Sequence, residues 1–433
     1  MRPGPRIQAT IDLIEAVADS SDVTDRTVAH FFRRRRYAGA KDRAAITALF
    51  YAIVRRRAWL EWRLINVAAG QFDGARPIVL AQLADGGIPD GELSALFDGT
   101  EHAPAALTLE ELSLVQALRR PPSGTPPPPV AGNYPGWLHD SLDRRFGANL
   151  SAEMAALNGR APLDLRVNVL RTDRQTVLAR LQGEGYDAEL TKYSPWGIRL
   201  PDSPRLETHA LYGDGLIEIQ DEGSQIVAAL LGAQPGERVV DYCAGGGGKA
   251  LALAVAMGNR GRVIACDIGP QRLGDLPARI ARAGTDIVIT HILGGAQDHD
   301  LTARPVDRVL LDVPCSGTGT WRRQPNERWS LSREKINNYN KIQCDLLVKG
   351  SALVAPGGTL LYATCSVLVE EGEDRVASFL AASPGFETID IATVWMACGL
   401  AGAPPCPGPF LKLSPHATQT DGFFAAVLRR KTA

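Results

Sequence analysis

Two cysteines raise the first chemical question. Cys315 lies three residues after Asp312 in "LLDVPCSGTG", and Cys365 ends the run "LLYATCS". Each follows an apolar stretch closed by a proline or a threonine, and each precedes a serine. A single buried cysteine is most often a small hydrophobe. Two at the ends of buried strands, one of them beside an acid, point instead to a working thiol. The reaction that would need this set is methylation at carbon 5 of a pyrimidine. That carbon is too electron-poor to attack a sulfonium methyl directly. A thiolate adding to carbon 6 makes it electron-rich, which is nucleophilic catalysis. An acid can hold the ring nitrogen and exocyclic amino group of cytosine, and a second thiol or a nearby base can assist loss of the carbon-5 proton.

A methyl donor needs its own site, and "VVDYCAGGGGKA" offers one. A strand runs through Gly245, Gly246, Gly247 and Gly248 into a helix beginning near Lys249. Glycine lets a backbone approach a ligand closely and take positive φ. The next strand ends at Asp267, whose carboxylate can accept from ribose hydroxyls. Together these indicate a cofactor containing adenosine. The loop fails as a Walker A motif, because Cys243 and Ala250 stand at its first and last positions. A dinucleotide fingerprint is open at this point, since Gly245 and Gly247 with Ala250 satisfy its permissive form.

The elements that must position these groups follow from periodicity. To about residue 120 the apolar spacing is helical, beginning with Ile7, Ile11, Ile14 and Val17, and strand-like alternation is absent. "RRPPSGTPPPPV" forbids helix continuation and reads as an extended linker. After it, "LDLRVNVLR", "GIRLP" and "LIEIQD" read as short strands around one helix. From "RVVDYCA" onward, "RVIACD", "DIVITH", "DRVLLDV" and "GTLLYATCS" alternate with helical segments, the pattern of a parallel sheet covered by helices on both faces. The expected organisation is an all-α bundle over 1–120, a linker over 121–130, a small α/β subdomain over 131–220 and a Rossmann-like α/β catalytic domain over 221–433.

Composition narrows the function classes. The chain has 433 residues, 22% of them charged, with a net charge of −1. No apolar run reaches the roughly 20 residues of a membrane helix, and the N-terminus lacks the apolar core of a signal peptide, so a cytoplasmic protein without membrane contact is expected. Seven cysteines without a C-x-x-C pair, and no H-E-x-x-H pattern, predict neither a disulfide framework nor a metal. Residues 1–63 carry 13 Lys/Arg against 7 Asp/Glu, clustered in "RRRR" and "RRR", which suits a phosphate backbone or a solvated helix face equally well.

The set "DYCAGGGGK", "DIGPQRL", "LLDVPCSGTGTWRRQPNERW" and "YATCSVLVEEGED" resembles the Sun (Fmu-type) RNA cytosine carbon-5 methyltransferases. The resemblance extends through "LRVNVLRTDR", "IQDEGSQ" and "TDGFFAAVLRRK", covering roughly residues 130–433, and "KDRAAITALFYAIVRR" looks like their NusB-like RNA-binding domain. It implies a monomer that methylates RNA, ribosomal RNA of the small subunit being expected, with S-adenosylmethionine as cofactor. By this resemblance Cys365 is the nucleophile, Cys315 assists product release, and Asp312 contacts cytosine beside the cofactor. Cys243, Ala244, Gly245, Gly246, Gly247, Gly248 and Lys249 would wrap the cofactor, with Asp267 on its ribose and Arg272 nearby. Arg322, Arg323, Trp329, Arg166 and Asn168 are the expected RNA contacts. Two departures bear on cofactor affinity. "CAGGGGKA" stands where the family has Cys-Ala-Ala-Pro-Gly-Gly-Lys-Thr, and a family Asp that would fall near Leu293–Gly295 is missing, leaving Asp298 or Asp300 as substitutes. Two rivals remain: an RNA-binding factor that has lost turnover, and an NAD-dependent oxidoreductase.

Overall fold

The computed structural model describes every residue except Ser21, Ala69, Gly70, 296–300, Thr302 and Ala433. Asp298 and Asp300 therefore lie outside the described residues. The chain divides into two compact units, one of Met1–Asn158 with Arg323–Ser330 and the other of Gly159–Arg322 with Leu331–Ala433.

The first unit is helical, with no strand among its described residues. Helices Pro3–Ala18, Thr24–Arg34, Ala40–Val54, Arg57–Ala68, Ala75–Asp85 and Leu109–Arg119 bury the apolar stripes their spacing predicts. Ile7, Ile11, Leu60, Leu64, Val79, Leu80 and Leu114 form one core, and Leu13, Phe31, Ile46 and Phe50 another. The unit continues through the proline-rich stretch. Pro128 and Pro129 occupy the first turn of the helix Pro128–Gly132, where a missing N–H costs nothing. Asn133 then takes a left-handed conformation and ties this segment to the bundle: its Oδ1 accepts from the Ala58 amide at 2.9 Å and its Nδ2 donates to the Val54 carbonyl at 3.2 Å.

The second unit holds two sheets. A small antiparallel sheet comprises β1 (Leu163–Val167), β2 (Glu189–Leu190), β3 (Gly197–Leu200) and β4 (Ile217–Ile219) in the order β2-β3-β1-β4. The large sheet comprises β5 (Arg238–Asp241), β6 (Arg262–Asp267), β7 (Val288–Ile292), β8 (Val306–Asp312), β9 (Val354–Thr364), β10 (Phe386–Ile389), β11 (Leu411–Leu413) and β12 (Phe423–Arg430). Its order is β10-β12-β9-β8-β5-β6-β7, with β11 paired to β12. Strands β7 to β9 of this order are parallel, and β12 inserts antiparallel between β9 and β10.

The near-continuous apolar strands are explained by burial on both faces. Val239, Leu310 and Leu361 pack on one side, Val240, Val309, Leu311 and Leu360 on the other, as the two-residue period of a strand requires. The strand order reverses beside β5, which opens a crevice at the carboxyl ends of β5 and β8, the place where open α/β sheets bind ligands.

Candidate active site

At the end of β5 the chain turns through Cys243 and Ala244 into the glycine loop. Gly245 and Gly247 have φ of 51° and 78°, and the helix Gly248–Ala256 begins immediately after. A Cβ on Gly247 would come within 2.2 Å of the Leu276 side chain, so the loop backbone fits only without one. The Gly245 amide donates to Asp267 Oδ2 at 3.0 Å, and the Ile268 amide to Oδ1 at 2.8 Å. Arg272 Nε stands 3.7 Å from the same Oδ1. The buried Asp267 carboxylate thus orders the loop and keeps acceptor capacity in reserve.

Lys249 reaches across the crevice. Its Nζ donates to Asp312 Oδ2 at 2.6 Å and lies 5.5 Å from the Phe423 ring. Burial by itself would lower the ammonium's pKa, but Asp312 and Asp241 outweigh it and hold the group above its usual range. Asp241, the last residue of β5, is fully buried, and neither of its oxygens has a hydrogen bond of normal geometry. Burial, then the nearby charge of Asp312, pushes its pKa up to about 7. The sequence had hidden this acid inside the strand "VVDY".

The two thiols meet. Cys315 Sγ and Cys365 Sγ are 3.4 Å apart. The meeting follows from sheet register: β8 pairs β9 in parallel with Asp312 level with Ala363, and the Val313 amide donates to the Ala363 carbonyl at 3.0 Å. Beyond this level both chains turn, and the Gly319 amide donates to the Cys365 carbonyl at 3.0 Å. The hydrogen bond to Cys365, burial, and the negative charge of Glu371 push the Cys315 thiol well above its ordinary pKa, so it is a neutral S–H. Cys243 is likewise raised, chiefly by burial, and is not a thiolate.

Three of the expected RNA contacts, Arg166, Asn168 and Arg322, are buried. Arg166 is buried, and its Nη1 donates to the Gly248 carbonyl at 2.6 Å and to Gln220, bracing the glycine loop from the small sheet. Burial drops its pKa to about 10. Asn168 Nδ2 donates to the Gly215 and Ala283 carbonyls at 2.9 and 2.8 Å. Arg322, only 5% exposed, lies between Asp421 at 2.5 Å and Asp221 at 3.1 Å. These three side chains donate to carboxylates, carbonyls and the Gln220 amide oxygen. Arg323 and Trp329 belong to the first unit, where the Arg57 guanidinium stacks 5.2 Å from a ring of Trp329. Arg279, which belongs to no motif of the sequence, donates to the Gly246 carbonyl and to Glu218. The signal was weak, because an arginine in "LPARIARA" looks like any solvated helix face.

The crevice suits a sulfonium cofactor. Asp241, Asp267 and Asp312 end three neighbouring strands around the loop. Carboxylates there favour a sulfonium and an α-ammonium group and oppose a pyrophosphate, and the glycine cradle admits a close ligand. Cys243–Lys249 would hold the amino-acid part of S-adenosylmethionine and Asp267 its ribose. Leu293–Gly295 carries no acid, and the Leu293 amide donates to the Asp267 carbonyl at 2.9 Å. Among the described residues no cluster of three or more His, Cys, Asp or Glu could hold a metal, and no helix is long and apolar enough to cross a membrane.

Comparison with known proteins identifies the family of the chain. Residues 228–429 match the family described as 16S rRNA methyltransferase RsmB/F, and residues 134–206 match the ferredoxin-like domain of RsmF/B-like methyltransferases. The chain is 31% identical over 410 residues to ribosomal RNA small subunit methyltransferase B of Sodalis glossinidius, covering 90% of each chain. It is 30% identical over 408 residues to the protein of that name from Citrobacter koseri, covering 90% of this chain and 91% of that one. Among solved structures, a methyltransferase homolog from Pyrococcus horikoshii is 26% identical, with a TM-score of 0.60 over 70% of this chain and 97% of that one. The crystal structure of PH0851 shares the fold over 99% of both chains, with a TM-score of 0.76 at 24% identity.

Proposed function

Because this chain belongs to the RsmB/F family of S-adenosylmethionine-dependent methyltransferases, we propose that it methylates carbon 5 of a cytosine in small-subunit ribosomal RNA through a covalent Cys365–cytosine intermediate. The observation that carries this is the 3.4 Å approach of two thiols beside the Lys249–Asp312 pair. One thiol alone would serve many chemistries. Two in contact, the second neutral, suit addition followed by assisted departure.

In this mechanism Cys365 Sγ bonds to carbon 6, and the electron pair displaced makes carbon 5 nucleophilic. Asp312, 28% exposed and held by Lys249, is placed to accept from the amino group and from the ring nitrogen once that nitrogen is protonated. Bound S-adenosylmethionine supplies an electrophilic methyl group. The carbon-5 proton then leaves to water, the carbon 5–carbon 6 double bond re-forms, and the sulfur–carbon 6 bond breaks. Cys315, a neutral S–H against the departing sulfur, donates a hydrogen bond to the thiolate as it forms. The proposal carries with it action in the cytoplasm by a monomer that uses no metal.

A covalent-trap assay tests the roles. With substrate RNA and cofactor, Cys315→Ala should accumulate a protein–RNA adduct on a denaturing gel, and Cys365→Ala should form none. The reverse pattern would exchange the two roles. No measurable cofactor binding at millimolar concentration would leave an RNA-binding factor in place of an enzyme.

A further inference from the structure

Glu371 lies on the turn that follows Cys365, in "YATCSVLVEEGED", and is fully buried. A carboxylate that far from water persists only when donors surround it. Here the donors come from the other cysteine's turn. The Ser316 amide donates to Glu371 Oε1 at 2.9 Å, and the Ser316 hydroxyl donates to Oε2. Gln343, from the helix Arg333–Leu353, spans both turns: its Nε2 donates to Glu371 Oε1 at 3.1 Å and to the Pro314 carbonyl at 3.0 Å. Ser316, Ser366 and Thr318 join their hydroxyls at 3.0 to 3.1 Å, and Thr318 Oγ1 accepts from the Val367 amide at 2.9 Å. Tyr362, inside β9, donates to the Glu371 carbonyl at 2.7 Å and fixes the backbone that carries the acid.

Pro314 and Ser316 flank Cys315 on either side, so its backbone is gripped from both directions. We propose that Glu371 is the positioning residue of the release step, clasping the Cys315 turn so that its thiol meets Cys365 Sγ. The proposal rests on the covalent mechanism above. Glu371 touches neither thiol and acts through Ser316 and Gln343. Its negative charge also favours the protonated form of Cys315, the form able to donate.

The test uses the full-length chain with Glu371→Gln and, separately, Gln343→Leu. A glutamine removes the negative charge on which the Ser316 amide, the Ser316 hydroxyl and the Gln343 amide converge, and so weakens each of the bonds that hold the turn. For Glu371→Gln, kcat should fall about 10- to 100-fold, the scale of a misplaced group, with KM for RNA unchanged. A protein–RNA adduct should accumulate as it does in Cys315→Ala. Gln343→Leu should accumulate it to a smaller degree, and serves as the test if Glu371→Gln does not fold by thermal melting. Wild-type adduct levels in a folded variant, whatever its kcat, would overturn the positioning role. If Cys315→Ala itself traps no adduct, the covalent mechanism falls and this inference with it.

Discussion

Arg322 shows how residue type and residue role separate. In "TWRRQPNERW" its charge looks available to a phosphate, but the fold places it between Asp221 and Asp421. Removing the cation from such a buried set leaves two carboxylates without their counter-charge, a cost of about 3–5 kcal/mol. Arg322→Ala should therefore lower the melting temperature sharply while leaving the salt slope of RNA binding unchanged. A stable variant with a shallower slope would return the residue to the RNA surface. Asp241 gives a second residue-level expectation. Its folded pKa of about 7 exceeds the unfolded value of roughly 4. Between those limits the folded state holds a proton that the unfolded state has released, so stability declines as pH rises and the full penalty is present above pH 7. In the cofactor-free protein, Asp241→Asn should gain melting temperature over wild type at pH 8 and much less at pH 5. An equal gain at both would show that burial does not strain this carboxylate. The cysteines and Asp312 could be read from sequence because each ends an apolar run. Asp241, Glu371 and Arg322 could not, because burial and partners come from chain segments up to a hundred or more residues away.

At the scale of elements, the parallel strands were legible because burial on both faces forces continuous apolar runs. Strands β10 and β11 were not, being short and supported by pairing with β12 rather than by their own pattern. The glycine loop was legible as a ligand turn, while its tightness was not. Gly247 combines positive φ with a Cβ direction blocked by Leu276, the first residue of the helix Leu276–Ala283 that follows β6. Gly247→Ala would cost roughly 1–2 kcal/mol in backbone strain alone, and relief would tilt the loop away from the cofactor. Titration calorimetry should show S-adenosylmethionine affinity reduced about tenfold or more, with the large sheet still folded. Unaltered affinity would mean the loop adapts at no cost to binding. Gly319 is a parallel case in the Cys315 turn: a Cβ there would meet the Gly422 carbonyl oxygen at 2.1 Å.

At the scale of the whole molecule, continuity in sequence and membership of a compact unit differ. Residues 323–330 follow the Cys315 turn along the chain yet pack with the helical unit. Arg328 is their anchor. It is fully buried, donating to the Asn133 carbonyl at 2.6 Å, to Asn158, and to the Leu157 carbonyl at 3.3 Å. Burial lowers its pKa to about 9, so the site holds the cation only because those carbonyls surround it. No local pattern in "QPNERW" distinguishes this arginine from a solvated one, since its partners lie more than 160 residues earlier. Arg328→Ala should leave two buried carbonyls unsatisfied and cost about 2–4 kcal/mol. The loss should be local, because every one of these partners belongs to the helical unit. In hydrogen exchange, amides of Pro128–Gly132 and Leu150–Asn158 should open faster, while those of β5 and β8 keep their protection. Equal loss of protection in both places would mean that the two units unfold as one. Unchanged protection in the helices would mean that Arg328 does not anchor residues 323–330.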